Sequence, residues 1–482
     1  MDIKPFWQNF IGNEWIDGDA GKIPVENPAT GEYLAEMACA GPGDIDRAVS
    51  AARKCQTSGE LQSLRPVERG RMVRRMGEYL LKNLEEIAVI HCLDSGKPLW
   101  EARNEISSAA RYFEYYGNQA ETLEGKSIPL GSRYTDFTKY EHYGVSAQII
   151  PWNFPLEIAA RSIACAITTA NCCVVKTAEL DPLSSTFFGH AALEAGLPPG
   201  AVNIVAGYGH DAGASLAAHN DINHLVFTGS VTTGAEVAAA AARNIVPSIL
   251  ELGGKSAAII CKDADFDQLF SSVRNGIFTN AGQVCSAMSR AVVHKDRREE
   301  FTERATELAN SISVGPGIER VEHGLNMGAM ISESQCDRAY SLCVKAVESG
   351  ARLVTGGNRL NRPGWFFQPT ILDSISPDDE IAQTEIFGPV LTVLEYSDDE
   401  EAIEIANSTR YGLVGGIFTK DLDRAMKAAA KLRAGQVFIN EWFAGGVETP
   451  FGGYGKSGYG REKGREALFN YVQTKNVAIA LG

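Results

Sequence analysis

Apolar and polar positions repeat with two different periods along this chain, and the switches between them mark out its elements. Met72, Val73, Met76, Tyr79, Leu80, Leu84 and Ile87 fall three or four apart, which lines one face of a helix. Gly96-Lys97-Pro98 predicts where that pattern ends, because glycine accepts a left-handed cap and proline cannot continue a helix. From about Gly144 the pattern changes to apolar, β-branched runs at 145–150, 172–175, 202–205, 224–227 and 245–250. Helix-like stretches at 183–195 and 232–242 lie between them. Strands that are apolar throughout and alternate with helices predict a parallel sheet covered on both faces. A second alternation follows, with strands expected at 256–261, 290–293, 391–395, 415–418 and 436–439 and helices at 296–310 and 421–432. Leu252-Gly253-Gly254-Lys255 reads as the hinge between two α/β units.

Composition narrows the class. At roughly 150 residues per domain, 482 residues suit about three domains. With 44% hydrophobic and 22% charged residues the chain is an ordinary globular mixture, which excludes a disordered or fibrous protein. The net charge of −15 argues against nucleic-acid or anionic-membrane partners, both of which need a basic footprint. Ten cysteines are too sparse for a disulfide scaffold. Met1-Asp2-Ile3-Lys4-Pro5 shows no export signal. The uncharged run 195–210 contains Pro198 and Pro199 and is shorter than the ~18 apolar residues of a membrane span. A cytoplasmic protein is expected.

Five stretches could carry chemistry. Cys285, in FTNAGQVCS at 278–286, follows a Gly-Gln turn, where backbone N–H groups could lower a thiol pKa and favour a nucleophilic thiolate; it could equally be one of ten small buried residues. Glu251 ends an apolar strand beside two glycines, a place for a general base or for a solvated charge. VFTGSVTTG at 226–234 reads as strand, tight turn and helix, offering helix N–H groups and the Ser230 hydroxyl to a phosphate, or serving only as a cap. Lys176 and Glu179 could both reach a ribose, or form a solvated pair. Asn153 sits among bulky apolar residues in IIPWNFP at 149–155, suited to stabilise an oxyanion or to satisfy a turn.

Taken together the motifs resemble the aldehyde dehydrogenase superfamily: PWNFP at 151–155, VVKTAE at 174–179, FTGS at 227–230, ELGGK at 251–255, GQVCS at 282–286, EIFGPV at 385–390 and PFGGYGKSGYGRE at 450–462. They stand in the family's order and cover nearly the whole chain. The resemblance implies an α/β fold with a Rossmann-like nucleotide-binding domain (1–122 and 144–253), an α/β catalytic domain (254–455) and a small β oligomerisation element (123–143 and 456–482). It implies Cys285 as nucleophile, Asn153 as oxyanion donor and Glu251 as base, with a thiohemiacetal and then a thioester on Cys285. NAD would contact Ile150, Trp152, Lys176, Glu179, Gly229, Ser230, Leu252, Glu385 and Phe387, and no metal is called for. A carboxylate at Glu179 accepts from a free ribose 2′-OH and repels the 2′-phosphate of NADP, which favours NAD.

Departures from the family pattern bear on the substrate. Arg161, eight residues past Asn153, stands where neutral residues are common, and Thr279 stands where succinate-semialdehyde enzymes carry a second arginine. Arg161 disfavours a cationic aldehyde. With Phe154, Trp442 and Phe443 as flat walls, the expected substrate is an aromatic or heteroaromatic aldehyde, or an acidic semialdehyde. A structural ion pair of Arg161 with Glu157 is the alternative, and Glu462 reads either as part of a proton relay or as a charged helix start. The expected assembly is a homodimer or homotetramer, since an apolar C-terminal strand at 471–481 would add to a partner's sheet. The competing functions are a CoA-acylating relative and a non-catalytic protein of the same fold.

Overall fold

The computed structural model describes residues 3–319 and 326–481. After a 17-residue helix at Pro42–Ser58, three consecutive long helices follow: Pro66–Lys82 (α1), Leu84–Ser95 (α2) and Leu99–Gln119 (α3). The continuous apolar face predicted across 72–87 is therefore split. Asn83 leaves helical geometry between α1 and α2 and donates from its carboxamide to the Tyr79 carbonyl at 2.8 Å. Gly96 caps α2 at φ 78, the left-handed conformation its position predicted.

The first alternation folds as Val145–Ile149 (β1), Pro155–Thr168 (α4), Cys172–Thr177 (β2), Phe187–Ala195 (α5), Val202–Ala206 (β3), His224–Gly229 (β4), Val231–Arg243 (α6) and Ser248–Leu252 (β5). The strands are buried almost end to end and pair in parallel in the order β5-β4-β1-β2-β3. Their β-branched side chains pack on both faces, as the continuous apolar runs require. Strand order reverses at β1, which opens a crevice at the carboxyl ends of β1 and β4, the usual ligand position in such sheets. Two edges extend the sheet to eight strands: Asn9–Ile11 and Glu14–Ile16 beyond β3, and Gly458–Tyr459 antiparallel to β5. The strand expected from Ile245 begins only at Ser248. Ile245 has φ 56 and is 90% exposed, so it belongs to the turn that leaves α6.

The second alternation gives Ala257–Ile260 (β6), Phe266–Phe278 (α7), Arg290–His294 (β7), Arg352–Thr355 (β8), Thr370–Asp373 (β9), Val390–Tyr396 (β10), Val414–Phe418 (β11) and Gln436–Ile439 (β12). These form one sheet in the order β8-β9-β10-β7-β6-β11-β12, parallel except for β8. Strands β8 and β9, four residues each, went unread in the sequence. Gly253 and Gly254 lie between β5 and β6, and each sheet has its own hydrophobic core. A third, small sheet pairs Val472–Ala480 antiparallel with Tyr134–His142 along its whole length, with Ser127–Ile128 beyond. The architecture is α/β: a Rossmann-like sheet, a second α/β layer and a small β-sheet. Among the described residues no helix is long and apolar enough to cross a membrane.

Candidate active site

Asn153, Glu251 and Cys285 come from three separate stretches and line one cavity of about 310 Å³ between the two large sheets. Glu251 arrives at the end of β5, opposite Thr228 of β4, because parallel strands deliver their carboxyl ends to the same rim. It is 2% exposed, and neither carboxylate oxygen has a hydrogen-bond partner. Burial pushes its carboxyl well above the ordinary carboxylate range; Arg161 opposes that rise and Glu462 adds to it. Asn153 lies on the loop from β1 to α4 and donates from Nδ2 to the Gln283 carbonyl at 2.9 Å.

Cys285 is half-buried, whereas the other nine cysteines are buried. After α7 the chain makes a short turn over Thr279–Gly282 in which Asn280 and Ala281 take left-handed conformations, φ 48 and φ 51. No helix begins at Cys285, and the expected lowering of its pKa by backbone N–H groups is not found. Burial instead pushes the thiol up to about 12, with the Glu385 and Glu251 carboxylates adding to the rise and Arg161 and Ser286 opposing it.

Around these three groups the walls are mostly apolar, with Phe154, Ile158, Phe443 and Phe451 among them. Trp442, expected as a wall, stands behind the cavity at 3% exposure and donates from its indole N–H to the Ser286 carbonyl at 3.1 Å. Arg161 faces the cavity, but its charge is committed. Its guanidinium pairs with the Glu462 carboxylate, not with Glu157, which accepts instead from the Tyr112 hydroxyl at 3.1 Å. Nor is Glu462 a charged helix start. It is 1% exposed, bridges its backbone to Phe451, and accepts at 3.3 Å from both Ser162 and Tyr471. Sequence reasoning missed Lys463, which lines the cavity with φ 61 and holds its ammonium 5.7 Å from the Phe451 ring centroid. The one available signal was its place directly after Glu462 in the last motif.

The residues assigned to a dinucleotide gather at the crevice where strand order reverses. Ile150 and Trp152 follow β1, and Lys176 in β2 pairs with Glu179 at 3.2 Å. Gly229 ends β4, where a Cβ would press on the Phe227 ring at 2.5 Å. Ser230 caps α6 by accepting from the Thr233 N–H and stays exposed, leaving the first turn of the helix open to a phosphate. Leu252 ends β5. Glu385 accepts from the Gly254 N–H at 3.1 Å, an approach only glycine permits at 253, where a Cβ would lie 2.0 Å from the carboxylate. Phe387 stands edge-on to Trp152, ring centroids 5.3 Å apart. This donor set fits a dinucleotide: a carboxylate for ribose hydroxyls, an open helix start for a pyrophosphate and paired rings for a flat base. Among the described residues no group of three or more His, Cys, Asp or Glu side chains could hold a metal ion.

Comparison with known proteins agrees with this geometry. Residues 15–477 match the family described as "Aldehyde dehydrogenase family". Aldehyde dehydrogenase family 2 member B4, mitochondrial, of Arabidopsis thaliana is 41% identical over 477 residues, covering 98% of this chain and 88% of the relative. Benzaldehyde dehydrogenase, mitochondrial, of Antirrhinum majus is 40% identical over 474 residues, with the same coverage of 98% and 88%. The NAD+ complex structure of the Bacillus cereus aldehyde dehydrogenase matches with a TM-score of 0.97 and 36% identity, covering 100% of both chains. With the matched family spanning both large sheets and the cavity between them, the chain belongs to the aldehyde dehydrogenase family.

Proposed function

We propose that this enzyme oxidises an aldehyde to the carboxylic acid with NAD as acceptor, through a thioester on Cys285. The observation that carries this reading is the convergence of Cys285, Asn153 and Glu251 on a single cavity. The Cys285 thiol gives its proton to solvent water as Sγ bonds to the aldehyde carbon, and the carbonyl electron pair moves onto the oxygen. A carboxamide has two N–H donors; Gln283 takes one of those on Asn153, and the other serves the oxyanion that forms. Bound NAD, held by Lys176, Glu179, Ser230, Glu385 and Phe387, supplies a hydride acceptor. Glu251, whose oxygens have no protein partner, takes a proton from the water that attacks the thioester, and Cys285 leaves as its sulfur is released from the acyl carbon. The Glu251 carboxylate also separates this reading from a CoA-acylating one, which has no need of a base for water.

The substrate is an aromatic or heteroaromatic aldehyde. Phe154, Phe443 and Phe451 supply flat surfaces, and Arg161 is already neutralised by Glu462, which weakens the acidic semialdehyde reading. An anionic ring substituent would meet Lys463 rather than Arg161. A relative 40% identical is a benzaldehyde dehydrogenase. The expected test result is NADH formation with kcat/KM higher for aromatic than for short aliphatic aldehydes, higher for NAD than for NADP, independent of CoA and abolished in Cys285→Ser. Activity surviving in Cys285→Ser would falsify the mechanism.

A further inference from the structure

Behind Asn153 lies a layer of buried titratable groups that the proposed reaction does not use. Helix α3 places Glu101 and Glu105 four residues apart, at 6% and 3% exposure. Lys97, 1% exposed, precedes the same helix. Its ammonium pairs with Glu105 and also donates to the Asn153 carbonyl at 3.0 Å. The other oxygen of Glu105 accepts from the Leu156 N–H at 3.0 Å, at the start of α4, and its shared oxygen lies 2.8 Å from His91 Nε2. Glu101 reaches the nucleophile loop instead: both its oxygens accept from the Asn280 N–H, at 3.0 and 3.2 Å.

The two arms meet at Asn153. Asn280 donates from Nδ2 to the Asn153 carbonyl at 2.9 Å and to the Gln283 carbonyl at 3.3 Å. That same Gln283 carbonyl accepts from the Asn153 side chain. Asn153, Asn280 and Gln283 thus close a ring of hydrogen bonds two residues before Cys285. Asn280 keeps its place in the ring with a left-handed backbone, φ 48, which asparagine tolerates better than most residues. Buried ions and strained backbone are costly, and such cost concentrates where geometry must be held.

We infer that Lys97, Glu101, Glu105 and Asn280 are positioning residues that set the Asn153 carboxamide against the Cys285 loop. The inference rests on the proposed role of Asn153 as oxyanion donor. One arm fixes the backbone of Asn153 and the start of α4, and the other fixes the turn that carries Cys285. Because both carboxylates belong to one helix, the donor and the nucleophile take their spacing from α3.

The test is a pair of double-mutant cycles in the full enzyme, Lys97→Met and Asn280→Gly, each alone and combined with Asn153→Ala. Glycine suits the left-handed backbone at 280 and removes no charge. Each single variant is expected to lower kcat about tenfold or more, while NAD affinity measured by fluorescence stays within about twofold. In the Asn153→Ala background each should cost less than about threefold, because the spacing between carboxamide and nucleophile that it sets no longer matters once the carboxamide is gone. Losses that multiply, or singles that lower melting temperature but leave kcat intact, overturn the inference. If Asn153→Ala itself retains full kcat, the oxyanion role fails first and takes this inference with it, an outcome separate from multiplicative losses. Should Lys97→Met fail to fold with Glu105 unpaired, the Asn280→Gly cycle decides by the same criterion.

Discussion

At Cys285 the local environment works against the charge that the reaction needs. Burial and two nearby carboxylates hold the thiol protonated, up to about 12, so the resting site stores a neutral nucleophile. The expected outcome is that alkylation of Cys285 by iodoacetamide in the free enzyme rises with pH up to about pH 10 without levelling. A plateau below pH 8 would show a thiolate already present. Arg161 illustrates the other side of residue-scale reasoning. As the partner of the buried Glu462, it holds a charge in place more than it selects substrates. Arg161→Met is expected to lower unfolding free energy by about 3–5 kcal/mol, because Glu462 loses its counter-ion. Denaturant melts check this, and a variant as stable as the parent would sink the ion-pair assignment.

Among the elements, α3 carries a titratable signature. Lys97 and His91 hold Glu105 down to about 2, against an ordinary value of 4.5, even though burial opposes them. A depressed carboxyl contributes stability that is fully present above pH 4.5 and is lost as pH falls through 2. The double variant Lys97→Met/Glu105→Gln, which removes both charges, should therefore lose less stability than the parent between pH 4.5 and pH 2 in acid titrations followed by circular dichroism. Parallel acid profiles would contradict it. Elements also show where sequence patterns reached their limit. The strands β1–β5 were legible because both faces are buried, which leaves unbroken apolar runs. Strands β8 and β9 were not: β8 is a half-exposed edge, and β9 sets only Ile371 and Leu372 between the polar Thr370 and Asp373. The apolar face read across 72–87 is divided between α1 and α2 by a break at Asn83.

At the scale of the whole molecule, the small sheet leaves an edge. Among the described residues Val472–Ala480 pairs with one neighbour only, and Phe137, Ile479 and Leu481 are 37%, 45% and 46% exposed. An unpaired edge with apolar side chains is a surface for a second copy. We propose a homodimer or homotetramer joined there, and expect light scattering to report one of these masses. Ile479→Lys/Leu481→Lys should shift the mass toward monomer, whereas a monomeric parent would remove the proposal.

The alternation of strands and helices, the parallel sheets and the candidacy of Cys285, Glu251 and Asn153 were legible in the sequence, because each depends on a local apolar run or a contiguous motif. Tertiary structure alone decided which charges meet. Arg161 and Glu462 are 301 positions apart, and Asn280 reaches Asn153 across 127. Ion pairs and hydrogen bonds act over a few ångströms of space and leave no periodic trace along a chain. The same holds for Trp442, aromatic and next in sequence to the cavity-lining Phe443 yet seated behind the cavity, in the backbone turn at 440–443.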